Sequence, residues 1–105
     1  MTRALRVYGE ALAEIRSAAG WYDRRRRGLG DDFLDALQAR LKELLDAPTL
    51  IGRLPGAPPQ LPIRRVLLSR FPYAVVFVQA EGEIRVIAVM HGRRKPGYWL
   101  GRVTK

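Results

Sequence analysis

The sequence has no cysteine, one histidine and three lysines, and each scarcity removes a class of chemistry. Without thiols there can be neither disulfides nor thiolate metal sites. His91 alone cannot assemble the ligand set of a zinc site, so no metal and no cofactor are expected. Paired carboxylates at hydrolase-like spacing, a nucleophile motif and a phosphate-binding glycine loop are missing as well. No apolar run approaches the roughly 20 residues that cross a bilayer. The opening Met1-Thr2-Arg3-Ala4-Leu5-Arg6 lacks a signal peptide's apolar segment. These absences predict a cytoplasmic protein with no membrane partner.

Arginine is abundant. Nineteen basic residues oppose ten acidic ones, giving a net charge of +9, and Lys42, Lys95 and Lys105 are the only basic residues that are not arginine. Such a surface steers phosphate backbones or an acidic protein partner toward it, and it also serves solubility. The guanidinium fork suits both phosphate and carboxylate. Hydrophobic residues make up 48% of 105, enough for one packed core, so a single domain over residues 1–105 is expected.

Leu5 and Val7 alternate with Arg6 and Tyr8, which predicts a short first strand. From Glu10 the period becomes helical, with Leu12, Ile15, Ala19 and Tyr22 as the apolar stripe. Arg24–Arg27 and Gly28-Leu29-Gly30 end that helix, since cations and a left-handed glycine suit its C-terminus. A second helix is expected from Asp31 or Asp32, with Phe33 or Leu34, then Leu37, Leu41, Leu44 and Leu45 as its stripe and Pro48 as its stop. The segment from Pro48 to Pro62 holds five of the seven prolines and predicts a stiff, irregular connection. Three strand-like runs follow: Ile63–Leu68, Tyr73–Val78 after a Phe71-Pro72 corner, and Ile84–Met90 after a tight turn at Glu81-Gly82. The expected fold is α+β with the order β-α-α-β-β-β. The N-terminal strand and helical hairpin pack on a small, mainly antiparallel sheet, the first strand lies beside the last, and a basic, aromatic tail follows from His91.

Particular residues narrow this order to a family. Ala18-Ala19-Gly20-Trp21-Tyr22 with Gly28–Phe33 forms one block, and Arg64–Leu68 with Arg70-Phe71-Pro72-Tyr73 a second. Val86–Met90 running into His91-Gly92-Arg93-Arg94-Lys95-Pro96-Gly97-Tyr98-Trp99 is the third. Together, in this order, they resemble ParE-like toxins of the RelE/ParE superfamily of type II toxin–antitoxin systems. The resemblance implies a toxin, of the kind linked to plasmid stabilisation, held inactive by a cognate ParD-like antitoxin. Operator DNA would then be bound only indirectly, through the antitoxin. ParE-like members are associated with inhibition of DNA gyrase, RelE-like members with ribosome-dependent cleavage of mRNA, and a degenerate member would act only as an antitoxin-binding corepressor.

Metal-independent RNA cleavage needs a base, an acid and cations around the phosphate. Cations abound, but arginine is a poor base. His91, Arg93 and Tyr98 are the best nuclease candidates, with no convincing base beside them. Docking is therefore favoured over catalysis. The target-binding candidates are Arg65, Arg70, Arg93, Arg94, Tyr98 and Trp99, residue types that anchor interfaces. Trp99 has a second reading, in which it folds back over an open end of the core, and His91 one in which it hydrogen-bonds its own loop. Trp21 and Tyr22 are expected to pack within the hairpin. For the antitoxin, an acidic segment burying apolar side chains in the groove between hairpin and sheet, the candidates are Leu34, Leu37, Leu41 and Leu45.

Overall fold

Backbone accounting at the helical corner explains why the hairpin closes where it does. A computed structural model describes residues 4–46, 62–80, 82–94 and 97–103. The expected stop at Pro48, most of the proline-rich connection, Glu81, Lys95 and Lys105 lie outside them. Helix α1 (Gly9–Arg25) ends where Arg26 turns extended and its N–H caps the Tyr22 carbonyl. Gly28 then takes φ +89°, a conformation open to glycine at little cost. Helix α2 (Leu29–Asp46) begins two residues earlier than the aspartates suggested. The reason is a cap from the other helix: the Asp23 carboxylate accepts the Gly30 N–H at 2.7 Å. A Cβ at residue 30 would sit 2.5 Å from the Ala19 carbonyl oxygen, so only glycine permits this approach. Asp31 and Asp32 then lie in the first turn, where the helix dipole favours them.

The face of α1 that meets the sheet is turned slightly from the expected one. Ala11, Ile15, Ala18 and Tyr22 are buried, while Leu12 is 39% exposed and Ala19 is only partly covered. Two alanines in the stripe let the helix sit close to the sheet, and a leucine there would hold it off. On α2, Phe33, Leu37 and Leu44 go into the core. Leu41 and Leu45 pack at its margin, and Leu34 stays exposed. Arg40 ties this helix to the sheet by donating its Nε–H to the Leu67 carbonyl at 2.7 Å.

The sheet contains β1 (Ala4–Val7), β2 (Ile63–Leu67), β3 (Tyr73–Ala80) and β4 (Glu83–His91) in the order β1-β4-β3-β2. The last three form the expected antiparallel meander, and β1 lies parallel to β4, from Ala4 opposite Glu83 to Val7 opposite Val86. Val76 pairs with Ala88 and Phe77 with Val86, leaving Ile87 as a bulge. The extra residue changes which face receives each side chain. Val86 and Val89 pack under the helices, whereas Ile87, Ala88 and Met90 enter a second core on the opposite face.

That second core bears out the reading in which Trp99 folds back over the core. Residues 97–103 fold back across the sheet and end in a short helix, α3 (Leu100–Val103). Trp99 is 1% exposed among Ile63, Ala74, Val76, Ile87 and Met90. The sheet is therefore covered on both faces.

Candidate functional site

The chemistry-bearing residues gather where β4 outruns its neighbour. β1 pairs only as far as Val86, leaving the far half of β4 with an open edge, and buried backbone groups there need other partners. Side chains supply them. Glu14 of α1 accepts the Val89 N–H at 3.0 Å, and Arg102 of α3 donates to the Ile87 carbonyl at 2.9 Å. Arg102 also forms an ion pair with Glu14 at 2.9 Å, largely shielded from solvent. The Tyr98 hydroxyl donates to the other Glu14 oxygen. Burial raises the Tyr98 pKa, and the bond to Glu14 raises it further. Burial alone would weaken the Arg102 charge, but Glu14 outweighs it and the pKa is raised. The clamp therefore holds a neutral phenol, a carboxylate and a guanidinium, joining α1, β4 and the C-terminal cover.

Beside the clamp, the turn after β4 presents the cations. The Gly92 N–H donates to the Pro72 carbonyl at 2.8 Å, which docks this turn on the β2–β3 corner. Arg70, Arg93 and Arg94 thus share one end of the sheet, all exposed. Arg70 has φ 72°, unusual for a residue with a Cβ. Arg94 lies over the Tyr98 ring, 3.8 Å from its centroid. Arg65 is apart from them, exposed on the outer strand β2 opposite Val76. Trp99, named with them as a contact residue, is corrected to a core residue: it has no surface left to offer. Leu37 is likewise interior, because its turn of α2 faces the sheet, which leaves Leu34, Leu41 and Leu45 as the accessible part of that stripe.

Of the three nuclease candidates, His91 and Arg93 meet only through the Arg93 backbone, and Tyr98 is engaged elsewhere. His91 Nδ1 accepts the Arg93 backbone N–H at 3.0 Å, and the imidazole packs edge-on to Tyr73. Tyr98 is committed to Glu14. Among the described residues, no group of three or more His, Asp or Glu side chains has the arrangement of a metal site, and no helix is long and apolar enough to cross a membrane.

A groove of about 480 Å3 opens between the C-terminal half of α1 and the end of β4. It is lined by Ala18, Pro72, Val89 and Met90, with rings from Trp21, Tyr22, Tyr73 and His91. Tyr22 is buried as expected, but Trp21 is 44% exposed, correcting its assignment to hairpin packing. Sequence reasoning missed Glu14 and Arg102. They lie 88 residues apart, and neither sits in a local pattern that distinguishes it from a solvated charge.

The family described as the ParE toxin of the type II toxin-antitoxin system, parDE, matches residues 5–96. Among solved structures, the chromosomal ParDE system from P. aeruginosa aligns with a TM-score of 0.63 at 18% identity, covering 86% of this chain and 96% of that one. A mutant of E. coli toxin RelE in the free state aligns with a TM-score of 0.66 at 20% identity, covering 98% and 99%. At these identities the two structures show a shared fold. No curated protein matches the sequence.

Proposed function

The chain belongs to the ParE toxin family, and from that premise we propose that it poisons its target by docking, with DNA gyrase as that target and a ParD-like antitoxin as its inhibitor. The observation that carries this reading is the state of Tyr98. A general acid in RNA cleavage must release a proton to the leaving oxygen. The Tyr98 hydroxyl instead donates to Glu14, and burial together with that bond moves its pKa further from neutrality. His91 is turned toward its own loop, and Arg93 offers charge without a base.

What remains at that end of the sheet is a contact surface. Arg70, Arg93 and Arg94 are exposed, and among the described residues none of them is held in an ion pair. Arg65 stands apart as a separate exposed cation on the outer strand, and the Tyr98 ring lies against Arg94. The antitoxin would use the other side of the molecule. An acidic segment laid along α2 reaches Leu34, Leu41 and Leu45, and any operator contact follows through the antitoxin.

Purified protein is tested in two reactions, gyrase supercoiling and cleavage of translated mRNA. Loss of supercoiling with intact message is the expected result. Cut message with normal supercoiling reverses the assignment in favour of a ribosome-dependent nuclease. Harmless expression without the antitoxin points instead to a corepressor. Replacing both Arg93 and Arg94 by alanine is expected to weaken toxicity while leaving antitoxin binding nearly intact, measured by growth and by co-purification.

A further inference from the structure

Three corners that lie far apart in sequence converge at one end of the molecule. Tyr22, near the end of α1, packs its ring against Phe71 and Tyr73 around the β2–β3 corner. The turn after β4 is tied to that corner through Gly92 and Pro72, and Trp21 lines a groove together with Arg94. The helical corner carries Arg24–Arg27, the β2–β3 corner Arg70, and the last turn Arg93 and Arg94, all of them exposed. Among the described residues the acids here are fewer. Asp23 is committed to the Gly30 N–H, and Asp31 and Asp32 sit in the first turn of α2. Of these arginines only Arg26 is held in an ion pair among the described residues, to Asp32 at 3.8 Å.

We propose that this end of the toxin grips the phosphate backbone of duplex DNA, without reading its sequence, while the toxin is docked on its target. The cores of protein–protein interfaces are depleted in charge, whereas protein–DNA interfaces are polar and strongly positive. Two of the guanidiniums are already seated on rings, Arg25 at 4.5 Å from the Trp21 centroid and Arg94 at 3.8 Å from that of Tyr98. A fork held this way is pre-organised and keeps edge N–H groups for phosphate oxygens. Arg70 supplies an independent observation. It holds φ 72°, where glycine would be at ease, and no ion pair among the described residues accounts for an arginine there. Strain kept at an exposed, charged residue points to a use for its side chain. Single strands fit less well, because they stack on free ring faces. Here Arg25 lies over Trp21 and Arg94 over Tyr98, while Tyr73 is packed edge-on against Tyr22 and His91. Phosphate contacts carry no sequence information, so this grip recognises no operator. The inference rests on the docking reading and adds the duplex that a DNA-handling target holds.

The probe is a fluorescein-labelled DNA duplex of mixed sequence, followed by anisotropy with the full chain alone over a series of salt concentrations. An oligouridine RNA and a polyglutamate peptide form two further arms. The duplex is expected to bind most tightly, with a log–log salt slope of about −3 or steeper. Arg27→Glu and Arg93→Glu, at two of the corners, are each expected to weaken it by about ten-fold. Arg6→Glu makes the same charge change on β1, beside the first half of β4, and is expected to stay within about two-fold of wild type. Arg70→Gly is expected to weaken binding by about three-fold while its thermal stability holds or rises.

Equal affinities across the charge reversals overturn the proposal, as does a flat salt response. Polyglutamate bound as tightly as the duplex reassigns this end to an acidic protein, and oligouridine bound as tightly reassigns it to single-stranded RNA. Circular dichroism melting confirms that each variant is folded. Because duplex binding is read without gyrase, a failed DNA grip and a wrongly assigned target are separate outcomes.

Discussion

The two faces of the sheet are covered by different means. On one, α1 and α2 bury a continuous apolar layer in which Tyr22, Phe33, Phe71 and Tyr73 pack ring against ring. On the other, residues 97–103 cover the strands through Trp99 and a few aliphatic contacts. The indole N–H of Trp99 is buried without a partner among the described residues, a cost the helical face does not bear. What fastens this cover is the polar clamp of Glu14, Tyr98 and Arg102. One face is thus secured by buried area and the other by a small number of bonds, so the second depends far more on single residues.

The comparison can be broken from the helical side first. Phe33 is fully buried at the centre of the aromatic layer, and Phe33→Ala is expected to cost about 3–5 kcal/mol in urea unfolding, with a uniform loss of cooperativity across the domain. Next comes the clamp. Glu14→Gln leaves Arg102 without its counter-charge in a largely shielded place and is expected to cost about 2–4 kcal/mol. Its signature is local: hydrogen exchange speeds up over residues 97–103 before α1 and α2 respond. Equal loss of protection everywhere would erase the distinction between the two covers.

Alkali gives a smaller, graded effect. The folded pKa values of Tyr98, Tyr22 and Tyr73 are all raised, chiefly by burial. Folding therefore favours the neutral phenols, and their contribution is complete below about pH 10, where free tyrosine ionises. Above it the unfolded chain loses protons first, and stability falls as pH rises toward the folded values. Stability measured by urea unfolding is expected to be level from neutral pH to about 9 and to decline beyond about 10. The smallest effect is at Arg70, whose positive φ belongs to neither cover. Arg70→Gly relieves that conformation and is expected to change stability by less than about 1 kcal/mol, toward greater stability. A loss of toxicity in that variant would then report the missing side chain and not the fold.

The helical face was largely legible from periodicity and the sheet from its β-branched runs. The exceptions have local causes. The start of α2 was misplaced because its cap, Asp23, comes from the preceding helix and not from the residues before the turn. The stripe of α1 is displaced because Ala11 and Ala18 face the sheet, where small side chains let the helix sit close. The C-terminal cover was hidden more deeply. A four-residue helix has too few positions for a period, and the bulge at Ile87 that creates its seat appears only when β3 and β4 are paired. Of the candidate site, exposed arginines were easy to nominate from charge alone. Glu14 was not, since nothing near it in sequence says that one acid in a basic protein will hold three partners.

Stoichiometry tests the central claim of action by docking most directly. Purified wild-type protein is titrated into a fixed amount of gyrase, and supercoiling is followed alongside the integrity of translated mRNA. A docking poison is predicted to give inhibition that saturates near equimolar toxin and does not deepen with time, while the message stays whole. Message that is cut progressively by a small fraction of an equivalent of toxin, with supercoiling unaffected, would contradict the account.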